Sequence, residues 1–258
     1  MNNENRSNIH DFDFNLICEY FSLTERQGPG SREMTLKALN IIGNTGSRSV
    51  IADLGCGTGS SALILAETTG AQVIAVDIFD TFLQQVRQKA RAKKLNINTL
   101  NAPMESLSFA PKRLDVIWCE GAIYNIGIKR GLELWRTLLK DEGHIAFTDA
   151  TWLTEERPYE IEHFWQETYP QMGTIESNLT LIKEAGYRTK EWFVLPRECW
   201  TENFYEPQRA AQTLFLSRHK DNPTAEMLVE NQRHEAEMYA RYGHLYGYVF
   251  YIVEKSKD

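Results

Sequence analysis

The residues with the clearest chemical purpose stand side by side: Asp53-Leu54-Gly55-Cys56-Gly57-Thr58-Gly59. They follow a short apolar run at residues 49–54 and precede a stretch at 61–67 that reads as a helix. A glycine loop between a strand and a helix is the setting in which backbone closes on a nucleotide-like ligand. Gly55 permits a tight turn, Gly57 lets the backbone come close to a ligand, and Gly59 lets the helix pack closely on the strand. The spacing is GxGxG, with Ser60 small enough to leave GxGxxS open. Asp53 says more. A carboxylate at the strand end repels a pyrophosphate seated at the following helix N-terminus. It suits a ligand that carries a positive ammonium and sulfonium. Asp77 ends the next apolar run, 24 residues after Asp53. A carboxylate there can accept both hydroxyls of a ribose, or cap the helix that follows. Ile78, beside it, could cover one face of a purine.

The elements that must position these residues alternate. Apolar runs at 49–54, Gln72–Asp77, 97–102, Leu114–Cys119 and 144–149 read as strands, with helices expected at 61–67, 79–94 and 129–139, the last broken by Gly143. The strands are near-continuous apolar runs, the signature of a parallel sheet covered on both faces. Right-handed crossovers then bring the strand C-termini to one edge, where ligands bind. Before this core, Ile9, Phe12, Phe14, Ile17, Cys18 and Phe21 suggest a short amphipathic helix. The break at residues 27–31 leads to a helix capped by Ser31 and ended by Gly43. Beyond residue 150 the sequence predicts helices at 159–168 and 176–185, a strand at 188–195, charged helical sequence at 202–241 and a final strand at 246–254. The fold class expected is α/β, Rossmann-like and doubly wound, in a single domain over residues 1–258. Its parts are N-terminal helices (1–48), a cofactor-binding core (49–150), a substrate-side elaboration with lid helices (151–245) and a final strand and tail (246–258).

The loop Asp53–Gly59, Asp77, and Met104-Glu105-Ser106-Leu107-Ser108-Phe109 resemble the class I S-adenosylmethionine-dependent methyltransferases, especially the ubiquinone/menaquinone-biosynthesis type and related small-molecule enzymes. Leu114–Trp118 followed by Glu120-Gly121-Ala122-Ile123-Tyr124-Asn125 is similar to the fourth-strand motif of one subgroup. The resemblance covers roughly residues 25–150 well and the rest loosely. It implies a mostly parallel seven-stranded sheet with an antiparallel last strand. It also implies that Asp53, Gly55, Cys56 and Gly57 lie along the methionine part of S-adenosylmethionine and that Asp77 holds the ribose. Met104 and Glu105 would border the adenine beside Ile78, and Glu120 would sit near the methionine ammonium or the acceptor. The family often has Asp two positions before Glu105 and Pro before Phe109; here Pro103 and Ser108 stand there.

Methyl transfer is an in-line displacement at a sulfonium carbon, for which the protein supplies alignment and exclusion of water. A general base is required only when the nucleophile must shed a proton early. The candidates are Glu120, Tyr124, His144 and His163, of which Glu120 has the best position; His144 and His163 read first as structural or surface residues. Aromatic residues are dense between 152 and 205. They suit the core of a lid or the lining of an apolar or cationic substrate pocket, with Trp200 and Tyr205 as the better-placed members. Residues 27–31 could fold over the cofactor or simply link two helices. The basic residues between 218 and 241 read as a solvated helix face.

The remaining features bound the function. The chain has 258 residues, 42% of them hydrophobic, and a formal net charge of −7. That acidity opposes non-specific binding to nucleic acid or anionic membranes, and no apolar stretch approaches a membrane span. Four cysteines without CxxC spacing suggest neither a metal site nor a redox motif, so a cytoplasmic setting is expected. The expected partner is a small-molecule methyl acceptor, with S-adenosylhomocysteine as the product. Two other readings compete: a nicotinamide-dependent oxidoreductase, which Asp53 disfavours, and an S-adenosylmethionine-binding protein without catalysis. The acceptor and the oligomeric state are not encoded in any recognisable motif.

Overall fold

The computed structural model describes residues 14–256. Ile9 and Phe12, two positions of the expected first helix, lie outside the described residues. Seven strands form one sheet in the order β3-β2-β1-β4-β5-β7-β6. They are β1 (Val50–Leu54), β2 (Gln72–Asp77), β3 (Ile97–Asn101), β4 (Leu114–Cys119), β5 (Leu139–Trp152), β6 (Tyr187–Val194) and β7 (Tyr246–Lys255). β7 runs antiparallel to both β5 and β6, between which it is inserted, while the pairings among β1 to β5 are parallel. The last strand is therefore the antiparallel one, as the resemblance implies.

Alternation along each strand sends side chains to two covered faces. In β2, Val73 and Ala75 join one apolar cluster and Ile74 and Val76 the other. The first face is covered by α2 (Arg32–Ile42), α3 (Ser60–Thr69), α4 (Asp80–Lys93) and α6 (Tyr159–Thr168), the second by α5 (Ile128–Trp135) and α7 (Ile175–Glu184). This double burial explains why the strands read as continuous apolar runs. A third, smaller cluster joins α1 (Phe14–Phe21) to α9 (Glu206–Arg218) and α10 (Pro223–Tyr242) through Leu16, Tyr20, Phe215 and Leu228. The short α8 (Glu198–Trp200) runs through a π-helical turn, Thr201–Tyr205, into α9. π-helical turns are uncommon and concentrate at functional sites.

Helix ends follow local chemistry. Ser31 caps α2 by accepting from the Met34 N–H, and Gly43 ends that helix at φ +67°. Asn222 caps α10 by accepting from the N–H groups of Thr224 and Ala225. One expectation fails. Gly143 does not break a helix: α5 ends at Trp135, and β5 starts at Leu139. Leu114 pairs with Leu139 and Val116 with His144, so the residues between 139 and 144 bulge out of the ladder. Glu142 at φ +63° and Gly143 supply the tight excursion.

Strand order reverses between β1 and β4, and ligands of open α/β sheets bind outside the strand carboxyl ends at such a switch point. Asp53 on β1 lies in register with Trp118 on β4, one strand width apart at this edge.

Candidate cofactor site

The glycine loop is fastened over the end of β2. The N–H groups of Gly55 and Cys56 both donate to the Val76 carbonyl, at 2.9 and 3.0 Å. Gly55 and Gly57 adopt φ of +69° and +52°. A Cβ on Gly55 would overlap the Ala122 side chain, so a glycine is required there by close approach as well as by backbone conformation.

Three carboxylates face this crevice. Asp53 is 1% exposed. Its Oδ2 accepts from the Ser61 hydroxyl at 2.7 Å, while its Oδ1 has no hydrogen-bond partner. Burial pushes its pKa up to about 7, opposed by the Ser61 bond and assisted by the nearby Glu120 charge. Asp77 is 8% exposed and accepts from the N–H groups of Gly57 and Phe79, both at 2.9 Å. It thus ties the glycine loop to the start of α4. Asp77 is not itself the cap of α4, whose N-cap is Phe79 with no side-chain cap bond. Burial raises its pKa, against these backbone donors.

Glu120, just past β4, accepts from the Thr35 hydroxyl at 2.7 Å and the Trp118 indole N–H at 2.9 Å on Oε1, and from Arg26 Nη1 at 3.2 Å on Oε2. Both members of the Arg26–Glu120 ion pair are largely buried. A carboxylate held by three donors is a fixed anchor, a poor arrangement for a mobile base. The second guanidinium nitrogen of Arg26, Nη2, is buried and unpartnered. The sequence reading did not single out Arg26, Thr35 or this use of Trp118.

The segment between α1 and α2 is strapped across the loop. Gln27 Oε1 accepts from the Thr58 N–H at 3.0 Å, and the Gln27 amide donates to the carbonyls of Phe21 and Thr24. Gly30 donates to the Cys199 carbonyl and accepts from the Asn203 side chain, so the strap also joins the π-helical turn. On the opposite rim, Ile78 is 55% exposed, unusual for a large apolar side chain beside a buried carboxylate. Met104 is half-buried with its carbonyl bonded to the Trp135 indole, and Glu105 is exposed. Cys56 is buried under the loop.

Beyond the β4 end, phenols from several elements gather. Tyr124 leaves 42% of its surface free, yet burial raises its phenol pKa. Around it stand Tyr169 (ring centroids 5.9 Å apart), Tyr248 and Tyr205, whose hydroxyl donates to Glu235 at 3.1 Å. Trp200 is 1% exposed, stacked on Tyr239 at 4.5 Å and edge-on to Tyr248. His163 is a surface residue stacked on Tyr159 and paired with Glu167. His144 lies on β5, 3.4 Å from Lys190, in register with Val116 and so away from the carboxyl edge.

Asp149, fully buried, is bonded by the Tyr169 hydroxyl at 3.3 and 3.4 Å. Burial pushes its pKa up to about 8. A carboxyl whose folded pKa is raised keeps its proton in the folded state after the unfolded chain has lost it, so stability falls as pH rises from about 4 to about 8. Asp149→Asn keeps an acceptor for Tyr169 and removes the titration. Its unfolding free energy should therefore match the parent near pH 4 and exceed it progressively up to pH 8, by several kcal/mol at about 1.4 kcal/mol per tenfold change in proton affinity, as read from denaturant melts across that range. A difference independent of pH would contradict the buried, protonated state of Asp149.

Residues 51–143 match the family model described as a methyltransferase domain. Over this stretch the chain is similar to methyltransferase domains. The glycine/sarcosine/dimethylglycine N-methyltransferase of Actinopolyspora halophila is 31% identical over 102 residues, which are 38% of this chain and 18% of that protein. The aligned part thus spans less than a fifth of that relative. A methyltransferase from Geobacter sulfurreducens, solved with S-adenosylhomocysteine, superposes with a TM-score of 0.80 at 16% identity, covering 93% of this chain and 97% of the other. The [4+2]-cyclase SpnF superposes with a TM-score of 0.75 at 18% identity, covering 95% and 94%. These two likenesses establish the Rossmann-like fold over almost the whole chain.

Proposed function

We propose that this protein binds S-adenosylmethionine in the crevice between the glycine loop and Glu120 and transfers its methyl group to a small-molecule acceptor held beyond the β4 end. The observation that carries the reading is the charge pattern of the crevice. Asp53, Asp77 and Glu120 converge on a glycine-lined cradle, and Asp53 Oδ1 is buried without a partner. Unpaired buried polar atoms are rare and call for a ligand or water. Negative potential suits an ammonium and a sulfonium and opposes a pyrophosphate. The orphaned Arg26 Nη2 fits the carboxylate of the same methionine group.

In this arrangement Asp77 accepts the ribose hydroxyls, and Ile78 covers the purine, rimmed by Met104 and Glu105. When bound, the cofactor supplies an electrophilic methyl on a sulfonium that leaves as a neutral thioether. The protein's own contribution is alignment and dryness: the Gln27 strap closes one side, and Arg26, Thr35 and Trp118 fix Glu120. Asp77→Ala should weaken S-adenosylhomocysteine binding by about 1.5–3 kcal/mol, the scale of a hydrogen bond to a charged group, as measured by calorimetry. An unchanged affinity would remove Asp77 from the site.

A fold shared with a [4+2]-cyclase does not fix the reaction, which keeps a second reading, binding without methyl transfer, in view. The test is incubation with methyl-labelled S-adenosylmethionine and a broad pool of metabolite-sized acceptors. Label recovered in a small molecule supports transfer. Cofactor binding with no label transferred from any extract favours the second reading. Among the described residues no helix is long and apolar enough to cross a membrane. The four cysteines are free and buried, in keeping with a cytoplasmic enzyme, and the net charge of −7 is in keeping with no nucleic-acid partner.

A further inference from the structure

The phenols beyond the β4 end surround a carboxylate. Glu235 projects from α10 among phenols. Tyr205 donates to it at 3.1 Å, and Tyr124, Tyr246 and Tyr248 lie within its electrostatic reach. Tyr246 is fully buried, and its hydroxyl has no hydrogen-bond partner. Among the described residues no ion pair neutralises Glu235; the neighbouring Arg233 is engaged with Gln212 at 3.1 Å. Burial raises the Glu235 pKa to about 7. The residue sits seven positions after Leu228 and three and four before Met238 and Tyr239, all buried. It therefore occupies the inward stripe of the helix, where a carboxylate is costly unless a cation meets it. Aromatic faces around such a carboxylate add attraction for a cation.

We propose that this carboxylate–phenol cluster forms the acceptor site and takes a cationic nitrogen, an amine or ammonium group, held by Glu235 and the rings of Tyr124, Tyr205 and Tyr248. The assignment rests on the methyl-transfer reading and specifies its substrate class. For a protonated amine the balance is complete within the site. The ammonium proton passes to the Glu235 carboxylate. The freed nitrogen pair forms the N–C bond to the methyl group as the C–S bond breaks with its electrons on sulfur.

The test separates this inference from the reading beneath it. The intact protein is first titrated with S-adenosylhomocysteine. The loaded protein is then titrated with choline and with 3,3-dimethylbutan-1-ol, its uncharged carbon counterpart, following tryptophan fluorescence and melting temperature. Choline cannot accept a methyl at nitrogen, so it reports binding alone. The expected result is at least a tenfold preference for choline, which Glu235→Gln reduces below threefold without changing S-adenosylhomocysteine affinity. Tyr205→Phe, which keeps the ring, should retain most of the preference. Equal binding of the two probes, no choline binding to loaded protein, or a preference undiminished in Glu235→Gln overturns the assignment. Failure to bind S-adenosylhomocysteine overturns the methyl-transfer reading, and this inference with it.

Discussion

Replacing Gly57 with leucine is expected to lower the affinity for S-adenosylhomocysteine by at least about 100-fold, or about 2.7 kcal/mol, in a protein that still folds. The residue holds φ +52°, so any side chain there incurs roughly 1–2 kcal/mol of left-handed strain. Its Cβ would press against the Gln27 side-chain amide, the flexible end of a side chain that can swing away. The fold can thus absorb the change, but the gap between loop and strap cannot. Gly55 offers the contrast, since its Cβ would strike Ala122 beside the β4 end, and Gly55→Leu should destabilise the whole domain. Calorimetry with S-adenosylhomocysteine and thermal unfolding of both variants check this pair. A Gly57→Leu protein that binds normally would show that the loop does not touch the cofactor.

Glu120→Ala should have the largest effect on stability. It strips Arg26, Thr35 and Trp118 of a shared acceptor and leaves a guanidinium buried without its partner. Breaking one side of a buried pair typically costs about 3–5 kcal/mol. In a chain of this size that is roughly 6–20 °C in melting temperature. Adding Arg26→Leu to Glu120→Ala should restore part of the loss, because the unpaired charge goes with it. Additive losses in the double variant would mean that the pair carries no coupling. The same geometry explains why Glu120, the favoured base candidate in the sequence, is better understood as a positioning residue.

The sheet was legible because its strands are covered on both faces, so Gln72–Asp77 and Leu114–Cys119 announce themselves as apolar runs with the observed bounds. β5 was legible only in its middle. Its ladder with β7 continues to the Trp152–Tyr246 pair, held by backbone bonds that leave no apolar signature, while its start is hidden by the bulge before His144. In the site, the loop, Asp77 and the placement of Glu120 came from local motifs. Arg26 and Thr35 did not, because they reach Glu120 from 94 and 85 positions away, and no local spacing encodes such a pairing. Glu235 was hidden in a stretch read as a solvated helix face. The available signal was its phase, on the stripe shared by Leu228, Met238 and Tyr239.

The central claim is that the crevice at Asp53 binds an adenosyl sulfonium cofactor, and thermal unfolding of the purified protein with S-adenosylmethionine, S-adenosylhomocysteine or NAD tests it most directly. A ligand at about 100 times its dissociation constant adds about 2.7 kcal/mol, which is on the order of 5–10 °C here. That rise is expected with both adenosyl ligands and not with NAD. A shift with NAD alone, or with none of the three in folded, ligand-free protein, would contradict it.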